Sequence, residues 1–277
     1  MLTLFTVPKS FHGHIGTIQR NAIQSWLYLR PSCEIILLGD DKGTAETAAE
    51  FKLRYISSVA RNQYGTPLVN SVFSEAEKLA SYPLMCYVNA DIVLMSNFLP
   101  AVQRVLQHKP CCLMIGRRWD VDIEELIDFS ANWEEKLESH VIRDGKLHAH
   151  TGIDFFIFPK GLFGEIPPFA LGRTIWDNWL VYRARSRKVS VVDLTEVVTV
   201  VHQNHDYSHD RGETVVWKGK EAKHNLALAG GYGYAFTIVN ATHKLTREGL
   251  KKNLSPYRFY YEVNRFIRRI SKNFRSL

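Results

Sequence analysis

The sequence has no apolar run near the ~18 residues that carry a helix across a membrane. Its opening, MLTLFTVPKSFHGH, lacks the basic n-region and long apolar h-region of a secretory signal, so a cytoplasmic protein is expected. Cysteine is scarce. Cys33, Cys86, Cys111 and Cys112 form no CxxC, and three of them sit in apolar runs. Buried reduced thiols are therefore expected, rather than disulfides or a zinc site. No GxGxxG follows the first apolar segment and no GxxxxGK[ST] occurs, which argues against a Rossmann dinucleotide site and a P-loop. Any phosphates must be held by a metal or by side chains. No internal repeat or low-complexity linker divides the chain.

Apolar residues make up 45% and charged residues 23%, enough for a full core in a chain of 277 residues. The net charge of +7 suits a phosphorylated ligand, an anionic membrane or a nucleic acid. Much of that excess lies in the tail, at Lys251, Arg258, Arg265, Arg268, Arg269, Lys272 and Arg275. No RNP-like or helix-turn-helix pattern accompanies it, so no nucleic-acid partner is expected.

Strand and helix patterns alternate along the first half. LTLFTV (2–7), EIILLGD (34–40), RYISSV (54–59), MCYVNADIVL (85–94) and CCLMIG (111–116) read as strands. IGTIQRNAIQSWLYLR (15–30), TAETAAEFKL (44–53), PLVNSVFSEAEKLA (67–80) and NFLPAVQRVLQ (97–107) read as helices; Pro31 stops the first and Pro67 opens the third. This alternation predicts an α/β fold whose mostly parallel central sheet is flanked by helices. The second half is mixed. IDFFIFPKGLF (153–163), VSVVDLT (189–195) and VVTVVHQ (197–203) read as strands, IWDNWLVYRARS (175–186) as a helix, and a small antiparallel C-terminal addition is expected. Residues 205–235, with GGYGY at 230–234, predict a long loop or lid with glycine hinges, the alternative being a tight turn. One domain over 1–245 followed by a basic segment over 246–277 is the expected organisation.

In an open α/β sheet, ligands gather outside the carboxyl ends of the strands. The expected strands end in Thr6-Val7-Pro8-Lys9, Gly39-Asp40-Asp41, Val59-Ala60-Arg61, Asn89-Ala90-Asp91 and Gly116-Arg117-Arg118. Loops are polar in any protein, but this mixture pairs cations suited to phosphates with carboxylates suited to a metal or to hydroxyls.

The order of elements, with a short acidic motif leaving the fourth strand in YVNADIVL (87–94), resembles the GT-A superfamily of nucleotide-sugar glycosyltransferases. The likeness covers roughly residues 1–245. TPLVNSVF (66–73), with Asn70, is similar to the helix that backs the nucleotide in that superfamily. GRRWDVDI (116–123), HTGIDFFIFPK (150–160) and VVHQNHDYSH (200–209) are similar to plant arabinofuranosyltransferase-like proteins and their bacterial relatives. The resemblance implies a nucleotide-diphosphate sugar donor, a hydroxyl acceptor (glycan, lipid-linked or protein) and a divalent cation, Mn²⁺ or Mg²⁺. It implies that the cation is held by Asp91, as the last residue of a DxD-type motif, and by a late His or Asp. The strand-exit residues listed above from Thr6 to Lys9, with Asp40, Arg61, Asn89 and Ala90, would face the nucleotide sugar.

A hard cation prefers carboxylate and diphosphate oxygens, and on a leaving diphosphate it offsets developing charge. Asn89 stands where the motif has its first Asp and brings no negative charge. The bland role for Asp91 is a turn or cap before Ser96-Asn97. His202 ends an apolar strand, with His205, His209, Asp206 and Asp210 close behind; a lone His there is more often structural, but the cluster makes a ligand role an equal alternative. An inverting transferase also needs a general base. Asp177 opens an expected helix and is the first candidate, although an acid there also suits the helix dipole; Asp154 is its rival. Trp176 and Trp179 suit a sugar face or the core. Arg117, Arg118 and Arg173 suit a diphosphate or an acidic acceptor, or simply solvent. Asn89 keeps an inactive transferase-like scaffold open as an alternative. A sugar-1-phosphate nucleotidyltransferase fits less well, because PKSFHGHIG (8–16) lacks the expected glycine-rich loop.

The tail, PYRFYYEVNRFIRRISKNFRSL (256–277), places Phe259, Val263, Phe266, Ile270 and Phe274 on one helical stripe with cations mostly off it. Such a helix either packs on the body and exposes its basic face, or lies peripherally on an anionic membrane.

Overall fold

The computed structural model describes residues 1–205 and 217–275, with side chains through Ile270. His209, Asp206 and Asp210 lie outside the described residues, as does much of the expected lid. The first elements follow the expected alternation: β1 (Leu2–Thr6), α1 (Gly13–Tyr28), β2 (Glu34–Leu38), α2 (Thr44–Glu50), β3 (Arg54–Ile56), α3 (Val69–Leu79) and β4 (Leu84–Val88). Strands β3, β2, β1 and β4 lie side by side and parallel. Next come β5 (Ile92–Leu94), α4 (Phe98–Leu106), β6 (Cys112–Ile115), β7 (Trp119–Val121), α5 (Trp133–Asp144), β8 (Lys146–Leu147) and β9 (Phe155–Pro159). The chain continues through α6 (Trp176–Ser186), β10 (Ser190–Asp193), β11 (Val200–Gln203), α7 (Lys220–Leu228), β12 (His243–Thr246), β13 (Gly249–Lys252) and α8 (Pro256–Arg275).

Nine strands form the main sheet in the order β13-β12-β10-β6-β9-β4-β1-β2-β3. It is α/β and mostly parallel, as expected, with the antiparallel hairpin β12–β13 added at one edge. The interior holds one strand the pattern did not reveal as reversed. β9 runs antiparallel between β4 and β6. A reversed strand delivers its beginning, not its end, to the edge where its parallel neighbours finish, so Asp154 arrives beside the exit of β4.

The expected strand 85–94 is two strands in different sheets. β4 belongs to the main sheet; β5 pairs antiparallel with β11 in a second, four-stranded sheet of order β5-β11-β7-β8. The turn Asn89-Ala90-Asp91 hands the chain from one sheet to the other. The expected third strand also stops early, at Ile56 rather than Val59.

Apolar layers cover both faces of the main sheet. Alternate residues of one strand enter different layers: Leu4 packs with Ile23, Trp26, Phe98 and Phe155, and Phe5 packs with Phe73, Tyr87, Phe158 and Trp176. Each fully buried side chain of this size contributes about 1.5–3 kcal/mol, so both strand edges are rigidly held. A smaller cluster of Val93, Met95, Val121, Trp133, Leu137 and Val201 seats the second sheet on α5. The four cysteines are free; Cys86 and Cys112 are buried, and Cys111 is exposed despite its apolar run.

The C-terminal helix forms as expected but packs the opposite way round. Its polar side meets the body, and Phe259, Val263, Phe266 and Ile270 face solvent. Within the expected lid, GGYGY is its seat: the 3-10 turn Tyr232–Tyr234 lies under it. A Cβ on Gly233 would stand 2.7 Å from Arg269 Cγ, so only glycine fits there without a shift.

Candidate active site

A cavity of about 230 Å³ opens where the turn Asn89-Ala90-Asp91 passes between the sheets. Short-range pairing fixes the turn: Ile92 N donates to Asn89 O at 3.1 Å, and Asn89 N donates to Asp154 O at 2.9 Å. Trp26 Nε1 donates to Ile92 O at 2.9 Å from the buried face of α1. Gln203, fully buried at the end of β11, donates through Nε2 to Asp91 O at 3.0 Å and to Ile18 O at 2.7 Å. Asn21 Nδ2 donates to Gln203 Oε1 at 2.8 Å. The Asp91 backbone is thus tied to α1 and β11 at once.

Register in the second sheet assembles the acidic and imidazole groups. His202 pairs with Ile92 across the β11–β5 ladder and with Asp120 across the β11–β7 ladder. His202 Nε2 then lies 3.8 Å from Asp91 Oδ2, and His205 Nε2 lies 3.2 Å from the same oxygen. One ligand atom from each of these three residues falls within 4.8 Å of the others. Burial by itself would raise the Asp91 carboxyl; the adjacent His202 and the hydrogen bond with His205 outweigh it and hold the group well below the usual carboxylate range.

Behind the imidazoles stands Asp120. It accepts from Arg118 Nε at 2.8 Å, contacts His148 Nδ1 at 2.6 Å and lies 3.4 Å from His202 Nδ1. Burial opposes its ionisation, but His148, His202 and Arg118 together hold its carboxyl far below the ordinary value. Arg118 reaches onward to Asp154 Oδ1 at 2.6 Å, which also accepts from Asn89 Nδ2 at 2.7 Å. Asn89 therefore acts as a donor that a first-position Asp could not replace: an Asp there would set two carboxylates against each other.

The same cavity lining carries Asp177. Trp176 anchors the start of α6 in the core, edge-on to Tyr87 with ring centroids 5.3 Å apart. Ile175, one residue earlier, is buried at φ +81°. A β-branched residue in the left-handed region costs about 1–3 kcal/mol; its carbonyl is fixed by Trp179 N at 2.8 Å. Strain of this kind gathers where a side chain must be aimed. Burial, reinforced by the charge of Asp154, pushes the Asp177 carboxyl up to about 7, against the pull of the Asn178 backbone N–H.

Of the residues singled out in the sequence, Val7, Lys9, Asn89, Ala90, Asp91, Arg118, Asp154, Asp177 and His202 line this cavity, with Arg173 and Trp176. Gln19 clamps the Lys9 backbone, accepting from its N at 2.6 Å and donating to its O at 2.9 Å. Thr6 and Pro8 are buried behind the wall, and Asn70 lies on α3 outside the lining. Arg61 is taken up by Asp40 at 2.5 Å and Asp41 at 2.7 Å, away from the cavity. Arg117 turns aside, donating through Nε to His148 O at 2.6 Å and through Nη2 to Leu147 O at 3.3 Å. Sequence reasoning passed over Gln19, Asp120, His148 and Gln203. Asp120 lies within the quoted GRRWDVDI, but three residues set no period that would single it out.

The three-residue cluster fits a divalent cation on its own chemistry. Asp91 Oδ1 is buried without a hydrogen-bond partner, an orphaned acceptor that a cation would satisfy. Two imidazoles beside one carboxylate form a borderline donor set that accepts Mn²⁺ more readily than Mg²⁺.

No known family profile and no curated protein matches the chain. Solved structures do match it in fold. The crystal structure of S. aureus TarS 1-349 in complex with UDP-GlcNAc superposes with TM-score 0.50 at 15% identity, over 74% of this chain and 59% of that one. The structure of GalNAc-T7 with UDP, GalNAc and Mn²⁺ gives TM-score 0.53 at 12% identity, over 83% and 48%. Glucosyl-3-phosphoglycerate synthase from Mycobacterium tuberculosis, in complex with Mg²⁺ and UDP, gives 0.50 at 12% identity, over 83% and 80%. The chain thus spans about half to three-fifths of the TarS and GalNAc-T7 chains. Its architecture is the GT-A fold of these glycosyltransferases.

Proposed function

We propose that this chain is a glycosyltransferase that moves a sugar from a nucleotide-diphosphate donor to a hydroxyl acceptor with inversion. The observation that carries this reading is the pairing of two unlike acid sites within one cavity. Asp91, His202 and His205 gather in its lining, and Asp177, in the same lining, carries a carboxyl pushed up to about 7. A divalent cation held by those three residues would supply positive charge to the donor diphosphate. UDP stands in the structures of two fold neighbours, and UDP-GlcNAc in a third, which favours a uridine nucleotide as donor.

Asp177 takes the proton of the acceptor hydroxyl as that oxygen attacks, because a carboxylate poised near neutrality is the stronger base. Asp154, held by Arg118 and Asn89, is oriented towards hydroxyls of the bound sugar; its Oδ2 is buried and has no hydrogen-bond partner. Asp120 positions His202 and His148. The direct test is thermal unfolding with UDP and Mn²⁺, together and singly, followed by a screen of nucleotide sugars for hydrolysis. A melting temperature that rises only with both components is expected. No shift with any common nucleotide sugar would overturn the reading.

A further inference from the structure

Helix α8 is amphipathic, yet its polar side is the packed one. Arg258 Nε and Arg185 Nη1 each donate to Glu262 Oε1 at 2.9 Å. Arg265 Nη1 donates to Tyr232 O at 2.7 Å. The Arg269 guanidinium lies over the rings of Tyr182 and Tyr234 at 5.7 and 5.8 Å. These contacts fix the helix's rotation. The opposite side therefore carries a continuous apolar stripe: Phe259, Val263, Phe266 and Ile267 are 50–57% exposed and Ile270 is 40% exposed. Tyr260 flanks it at 63% exposure. A patch of this kind on a folded chain marks a surface that is covered in use.

Charge decides what covers it. From Gly249 to Leu277 there are eight Lys and Arg residues and one acid, Glu262, so this segment alone carries the chain's net +7 and the remainder is neutral. Glu262 is consumed by its two arginines on the packed side. Two copies meeting stripe to stripe would bring two such segments together. Arg258, Arg265 and Arg269 are turned to the packed side, whereas Lys251, Lys252 and Arg268 are exposed, and an anionic surface would gain from those exposed cations. No described helix is long and apolar enough to cross a membrane.

We propose that α8 docks the chain on an anionic lipid surface, with the Phe259–Ile270 stripe entering the headgroup region and the exposed cations of the same segment drawn to lipid charge. This rests on the helix alone and is independent of the chemistry assigned to the cavity. The test is sedimentation of the full chain with vesicles of phosphatidylcholine, with and without about 30% phosphatidylglycerol. Binding to the anionic vesicles, at least about tenfold weaker to neutral ones, is expected. Phe266→Glu, at an exposed position, should keep the wild-type melting temperature and lose roughly tenfold or more of the binding. Phe266→Trp should gain blue-shifted emission on mixing with anionic vesicles. Absence of wild-type binding, or unchanged binding by Phe266→Glu, overturns the proposal. So does a wild-type dimer that Phe266→Glu converts to monomer, which would make a second copy the occupant.

Discussion

Asp91 and Asp177 line one cavity, both half-buried, and their carboxyls are shifted in opposite directions. Burial disfavours the charged form of each. On the Asp91 side two imidazoles stand within 4 Å and overcome that penalty. On the Asp177 side Asp154 adds its negative charge, and burial prevails over the pull of the Asn178 backbone N–H and of Arg118. Two copies of one residue type thus acquire two chemistries: a permanent anion suited to a cation, and a proton acceptor poised near neutrality. Sequence-local features do not set the difference. Asp91 gets His202 from β11 through strand register and His205 from just beyond it, both more than a hundred residues away.

Three substitutions probe this division, the strongest first. Asp91→Ala should lower transfer by about 10³-fold, in the range seen when a preorganised electrostatic contact is lost, and should abolish the Mn²⁺-dependent rise in melting temperature. An unchanged rise would remove Asp91 as a ligand. Asp177→Asn should leave nucleotide binding intact and lower kcat by about 10²–10⁴-fold. In the wild type, kcat/KM should climb with pH and level off above about 7, as Asp177 loses its proton. The stability effect has the opposite sign. The unfolded carboxyl ionises near 4 while the folded one holds its proton to about 7, so stability falls as pH rises across that window. Asp177→Asn should therefore raise the melting temperature at pH 8, by roughly 2–4 °C for ~1 kcal/mol in a chain of this size. A melting temperature unchanged by the substitution would mean that Asp177 is solvated. The smallest effect belongs to Asp120→Asn, which should weaken metal affinity about 10–100-fold, as loss of an outer-shell carboxylate does. Titration with Mn²⁺ reads it directly, and excess metal should restore transfer.

The sequence showed the main sheet more clearly than the small one. Unbroken apolar runs mark β2 (Ile35–Leu38) and β4 (Leu84–Val88), β1 is apolar but for two threonines, and Pro31 and Pro67 punctuate the helices between them. Asp91 was legible because an oily strand ends beside it. The second sheet was not legible, since β5 and β7 have three residues each and β8 has two, too few to establish a period. Its pairings are long-range, and Asp120 acquires meaning only once β7 lies against β11. Nor did β9 announce its direction: a strand buried on both faces reads the same either way, so Asp154 looked like any loop acid. The tail's amphipathicity was plain, but its orientation depended on Glu262 meeting Arg185, a partner 77 residues away.

The turn between the two sheets also restricts how the chain can change length. In β5, Ile92 and Leu94 point into the main core and Val93 into the core on α5. One residue inserted or deleted between Val88 and Ile92 would exchange those faces and unseat both cores together. Length variation should therefore be excluded from Asn89-Ala90-Asp91 even where point substitutions are tolerated. A scan of single-residue insertions through 86–96 would find its sharpest loss of soluble protein there.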